Sequence, residues 1–466
     1  MSKAKSDNAD LNPVQSRDVV VGQSKELVHD AVFGELSEGG PNYRSLGWVG
    51  TTGLMMKTQI GLGVLSIPAV FDVLGIIPGV ICLCAIGGIT TWSNYIVGVF
   101  KLGHPEVYGI DDAGAMMFGR LGRIIFGTAF CCYFTCNSAS AMLSVSIGLN
   151  AVSKPGACTA IFVFVAACVG FSTSSIRTLA RLAWPVWVGL VGIIVSVTAV
   201  TIAVGVQDRP ADAPREGEWK SDYKLVNSPE ISKALSAISA LVFSYAGTPA
   251  FFPIVSEMRN PKHYGRALFI CQGVISACYI TVGCVVYYYC GSYVASPALG
   301  SAGNTMKIVC YAIALPGLMV TNSIATHLPA KYIFVHALRG TKHLTSNTKT
   351  HWATWLGCTF GVSVIAYIIA SAVPVFGSLI SLVGALFGTL MSFQPMGCMW
   401  LYDNWSKDKA ERNLSWTLMV GWCIFVIVSG TFLMVGGTYG SIVDIINAYK
   451  AAGGSAAWSC ADNSNS

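Results

Sequence analysis

Eleven apolar stretches, each long enough to cross a lipid bilayer, recur along this chain and leave few folds open to it. A crossing helix needs about 20 apolar residues. The stretches cover residues 48–72, 75–100, 123–149, 157–174, 183–206, 231–257, 265–291, 304–337, 352–373, 376–402 and 415–437. In hydrocarbon, the backbone N–H and C=O groups of such a stretch must bond within the protein, which a helix does within itself. The predicted fold class is therefore all-α, a polytopic membrane protein with 11 transmembrane helices. Only 11% of the residues are charged, against about 25% in soluble domains. Too little polar side chain remains to cover a water-facing surface.

Orientation follows from the basic residues, which collect on the cytosolic side of membrane proteins. With the N-terminus in the cytosol, twenty of the 29 lysines and arginines fall inside. Their scatter through short loops argues against nucleic acid as a partner. Residues 1–46 are polar and read as a cytosolic tail, so the first span acts as its own insertion signal. Residues 47–437 form the transmembrane domain, and an odd number of spans puts a tail over 438–466 on the extracytosolic side. Of the 16 cysteines, Cys158, Cys290 and Cys460 fall near that outer face. The sequence does not say which of them, if any, pair.

Two spans carry helix breakers near their midpoints. In the first, Gly61-Leu62-Gly63 precedes Pro68; in the sixth, Ser244-Tyr245-Ala246-Gly247-Thr248-Pro249 interrupts the apolar run. A glycine costs a helix about 1 kcal/mol and a proline about 3. Matched interruptions in two halves, about 48–206 and 231–402, fit an inverted five-plus-five repeat of the leucine-transporter kind. There, unwound backbone holds substrate and coupling ion at the membrane midplane. Gly61, Leu62 and Gly63 then offer amide N–H groups to a substrate carboxylate. The carbonyls from Ser244 to Gly247 take its ammonium, with Phe243 and Tyr245 as an aromatic wall. Ordinary kinks or close-packing glycines are the alternative.

Lys57 lies nine residues into the first span, roughly 13 Å deep at 1.5 Å per residue. A lysine buried in a membrane is a functional-site candidate. It is a coupling residue whose charge fills the place of a sodium ion, or a structural cation held by carbonyls. Asn322 and Thr326 share one face of the eighth span and are candidates to meet Lys57. Thr135, Asn137 and Ser138 are further lining candidates on the third span, and Glu257, beside Arg259 and Lys262, reads as an inner-gate or structural ion pair. No GxSxG, HExxH or P-loop is present, so no enzyme and no cofactor is expected.

The run from Lys57 to Pro68 resembles the amino acid/auxin permease family, in its fungal methyltryptophan-resistance type of neutral amino-acid permease. So do His104-Pro105-Glu106, Asp112-Ala113-Gly114, Phe118-Gly119-Arg120, the run from Val242 to Tyr245 with Glu257-Met258, and Ser296-Pro297-Ala298-Leu299. The resemblance spans about residues 44–440. It implies a five-plus-five fold with an eleventh helix and uptake of neutral and aromatic amino acids driven by protons. It also implies that a lysine at position 57 goes with proton rather than sodium coupling. The plasma membrane is the expected location. A vacuolar exporter and an amino-acid sensor that does not transport remain open.

The sequons Asn404-Trp405-Ser406 and Asn413-Leu414-Ser415 fall on the cytosolic side in this orientation. Endoglycosidase treatment of protein made in a eukaryotic host is therefore expected to leave its gel mobility unchanged. A shift abolished by Asn404→Gln or Asn413→Gln would reverse the topology.

Overall fold

The computed structural model describes residues 29–30, 34–35, 46–451 and 460, except 154–155, 178, 211–212, 215, 218, 342, 345–346, 374–375 and 407–411. Most of the tail over 1–46 lies outside the described residues.

The chain folds as a helical bundle. Its helices are α1 (Trp48–Gln59), α2 (Leu62–Leu74), α3 (Ile76–Gly103), α4 (Ile110–Ser153), α5 (Thr159–Ser174), α6 (Leu179–Val206), α7 (Ile231–Tyr245) and α8 (Thr248–Ser256). They continue with α9 (Tyr264–Cys290), α10 (Asn304–Leu338), α11 (Lys349–Ala372), α12 (Phe376–Val383), α13 (Thr389–Ser392), α14 (Gln394–Asn404) and α15 (Leu414–Ala451). A π-helical turn, Gly384–Gly388, joins α12 to α13. Among the described residues, nine helical segments are long and apolar enough to span a membrane, and the bent pair α1–α2 makes a tenth. The expected fourth span is the apolar helix α5, 16 residues long and short of the usual 20.

Differences from the predicted bounds have local causes. The third expected span, 123–149, is preceded by a helical segment from Ile110 that leads directly into it, the two meeting at Gly119 with φ 64°. That left-handed conformation is one glycine adopts freely and other residues rarely do. The last helix continues beyond residue 437 to Ala451, because Leu235 and the Ser232–Ser236 turn of α7 pack against Gly436 and Gly440 of α15.

Burial places the sixth span at the centre. The α7–α8 segment is almost wholly buried, whereas α15 turns most of its surface outward. Around this axis α2 packs on α7, α3 on α9, and α15 on α7, while α4, α5, α6 and α11 gather about α10. One end of the bundle is fastened beneath α8. Leu46 N–H donates to Glu257 O at 3.1 Å and Arg259 N–H to Leu46 O at 2.9 Å. The Glu257 carboxylate pairs with Lys331 of α10, both buried. Glu257 is thus an ion pair, as expected, though its partner is on α10 rather than nearby in sequence.

At the opposite end, Cys158 and Cys460 form a disulfide, while Cys290 is free and buried. Non-reducing peptide mapping is expected to recover the Cys158 and Cys460 peptides as one species. In Cys158→Ser, Cys460 should react with an impermeant maleimide from the same side that labels Cys158 in Cys460→Ser.

Candidate functional site

Both predicted breaks are present, and they lie side by side. In the first, Ile60 and Gly61 leave helical geometry between α1 and α2, and the arms meet at 42°. The break thus comes just before Leu62; Gly63 and Pro68 lie inside α2. In the second, Ala246 (ψ 49°) and Gly247 separate α7 from α8. Pro249 falls in the first turn of α8, where its missing N–H is not needed.

The two breaks touch through Gly63. A Cβ at that position would lie 2.7 Å from Ser244 Cα and 3.0 Å from the Tyr279 hydroxyl. Only glycine lets the two backbones come this close, and the Ser244 hydroxyl lies 3.2 Å from Gly63 O. Valine at position 63 would force the helices apart, so it would test packing as much as ligand contact.

The carbonyls freed at the breaks find donors on other helices. The Tyr279 hydroxyl of α9 lies 2.9 Å from both Gln59 O and Ser244 O, donating to one at a time. The Tyr133 hydroxyl of α4 donates to Ala246 O at 2.5 Å. The Lys57 ammonium, 1% exposed, donates to Ile60 O at 3.3 Å. The amide side is different. Neither α2 nor α8 has a side-chain cap at its N-terminus. The Gln59 amide rests against Gly247, where a Cβ would lie 3.1 Å from its Nε2. Both Gln59 amide atoms and the Thr248 hydroxyl are buried with no hydrogen-bond partner among the described residues. Buried polar groups are normally paired, and these atoms have hydrogen-bonding capacity to spare for a polar partner.

Other candidates take different places. Asn322 and Thr326 both reach Ser138 of α4, at 2.9 and 2.8 Å, and Asn322 also donates to Ala166 O of α5 at 2.9 Å. They tie α10 to α4 and α5, so the structure does not bring them to Lys57. Thr321, one residue earlier on α10, lies there instead. The same point beside Gly61 is 2.9 Å from Thr321 Oγ1 and 3.6 Å from Lys57 Nζ. Thr135 bonds Cys131 O within its own helix, and Asn137 is buried. The Tyr245 hydroxyl meets Ser276 at 3.1 Å, and its ring stands edge-on to Tyr279. Phe243 packs near Gly384 in the π turn, where a Cβ would be 2.8 Å from Phe243 Cβ.

The residues missed from the sequence are Tyr133, Tyr279, Thr321 and Gln59. Tyrosine deep in a span was the available signal, since a hydroxyl in hydrocarbon must find an acceptor. Nothing in the spacing says that the acceptor is a broken helix. A cavity begins one turn along α2, at Ser66, and its lining does not include Gly61, Leu62, Gly63 or Gly247.

A membrane bundle with two central helices interrupted side by side, and unmatched polar groups between them, has the construction of a transporter. Solved structures agree on the fold. Mhp1, a nucleobase-cation-symport-1 family transporter in a closed conformation with bromovinylhydantoin bound, aligns over 92% of this chain and 98% of its own with a TM-score of 0.56 at 12% identity. MhsT in complex with L-phenylalanine aligns over 86% and 98% at 0.50 and 12%. The chain belongs to the transmembrane amino acid transporter protein family, which it matches over residues 44–443. It is 32% identical to a transmembrane transporter of Gibberella moniliformis, over 96% of this chain and 93% of that one. It is 30% identical to the N amino acid transport system protein of Neurospora crassa, over 99% and 98%. The protein is therefore an integral membrane transporter of an amino-acid transporter family.

Tyr279→Phe removes the hydroxyl shared by Gln59 O and Ser244 O and leaves a buried carbonyl short of a donor. The expected loss is about 1–3 kcal/mol, read as a lower melting temperature of the purified protein in detergent. Tyr287→Phe, whose hydroxyl accepts from Lys224 N–H nearer the surface, should cost less. Equal losses would show that Tyr279 has no special part in holding the breaks.

Proposed function

We propose that this protein is a secondary active transporter that carries neutral and aromatic amino acids together with protons by alternating access. The observation that carries the reading is the asymmetry of the paired breaks. Their carbonyl ends are met by Tyr133, Tyr279 and Lys57, while their amide ends have no side-chain cap. An uncapped helix N-terminus favours an anion. The substrate carboxylate thus belongs at Gly61, Leu62 and Gly63, with the unpartnered Gln59 amide and Thr248 hydroxyl close to Gly247 at the second break. The ammonium belongs at the carbonyls from Ser244 to Gly247. A carbonyl has two lone pairs, so those already bonded to tyrosine can accept again. Phe243 and Tyr245 stand behind the second break as its apolar backing.

Lys57 supports proton rather than sodium coupling. Its ammonium already lies against Ile60 O, with the Thr321 hydroxyl also beside Gly61, so its charge takes the place a metal cation would use. In this reading Asn322, Thr326 and Ser138 hold the scaffold against which the break moves. The chain has eleven spans, with α5 as the fourth, in a five-plus-five inverted repeat plus α15. Its N-terminus is cytosolic, in the plasma membrane. The Leu46 backbone bonds to Glu257 and Arg259 and the Glu257–Lys331 pair are then the closed inner gate.

Purified protein in liposomes should accumulate radiolabelled phenylalanine when the outside is made acidic, without sodium. Lys57→Ala should keep the fold and lose at least tenfold in gradient-driven accumulation. Uptake that needs sodium and ignores pH would refute the coupling. Accumulation by Lys57→Ala at the wild-type level would reduce that residue to scaffold.

A further inference from the structure

A cavity of about 500 Å³ lies beside α2 and α7 and does not include the residues of the breaks in its lining. It opens outward from them, walled by α2, α7, α12 and α15 and floored by Ser66 and Ala240. Ser66 lies five residues beyond Gly61, about 7 Å along α2. Its volume falls within the range of about 300–1,000 Å³ found for small-ligand sites.

Two charged side chains line this cavity: Lys233 from the first turn of α7 and Asp444 from α15. They have opposite signs and stand on different walls. No ion pair joins them to each other or to another described residue. Below them Ser236 and Ser381 are 4% and 6% exposed and make no hydrogen bond to the protein among the described residues. A cavity with one cation, one anion and hydroxyls without partners suits a ligand that carries both charges and further polar atoms. That is the description of a zwitterionic amino acid.

We propose that this cavity is a second amino-acid site, in which Lys233 takes the α-carboxylate and Asp444 the α-ammonium before the amino acid passes to the helix breaks. The inference rests on the amino-acid reading above but not on proton coupling. It gives the last helix a part in binding, since Asp444 is supplied by α15. The sequence hid this, because Asp444 lies beyond the expected end of the eleventh span.

The test is equilibrium binding of radiolabelled phenylalanine to the purified protein, with uptake into liposomes beside it. Wild type should bind two molecules per chain, and Lys233→Ala combined with Asp444→Asn should bind one. Each single change should raise the KM for uptake about three- to tenfold with kcat unchanged, the effect shrinking at high salt as for other exposed charges. Ligand analogues separate binding from a mere gate. Lys233→Ala should weaken inhibition by 3-phenylpropionate, which lacks the ammonium, and spare phenylalaninamide, which lacks the carboxylate. Asp444→Asn should do the reverse. Fewer than two wild-type sites, or equal effects of both variants on both analogues, would overturn the inference. Two-site binding without proton-driven uptake would refute symport and leave this site standing.

Discussion

A backbone carbonyl or amide left without a partner in hydrocarbon costs several kcal/mol, and this protein interrupts two of its central helices where that cost is highest. Everything near the breaks answers to it. Tyr279 reaches from α9 to both interruptions, Tyr133 reaches from α4 to the second, and Lys57 folds back on the carbonyl of Ile60. Two of these donors, Tyr279 and Tyr133, come from helices far in sequence from the carbonyls they meet, so the breaks depend on the assembled bundle. An isolated α1–α2 or α7–α8 pair would have no reason to keep its kink.

The arrangement also divides labour between the two polar ends of a helix. Carbonyls are satisfied from within the protein and hold the breaks in shape. Amides at the starts of α2 and α8, with the side chains of Gln59 and Thr248, are left for something else. A site built this way needs few charged side chains, which suits a membrane interior where each charge is expensive. Lys57 is the exception, and it is fully enclosed.

The all-helical class, the two breaks and the depth of Lys57 could be read directly from the sequence, because apolar run length and the positions of glycine and proline act locally. The third span was legible for the same reason. What lay beyond reach was contact between distant helices. Asn322 and Thr326 share a face, and periodicity says so; that this face meets Ser138 while Thr321 turns toward Gly61 depends on how α10 is rotated in the bundle. The disulfide was narrowed to three cysteines, and packing then chose Cys158 and Cys460. Glu257 illustrates the same division: its role as an ion pair was evident, its partner Lys331 was not.

The near-contact of Gly63 with Ser244 has a mechanical consequence. Two backbones pressed together without an intervening side chain resist sliding past one another, so α2 and α7 are coupled at this point as one unit. Freedom to shift against the rest of the bundle is left to the other borders of the pair, where α2 meets α3 and α9 and where α7 meets α12 and α15.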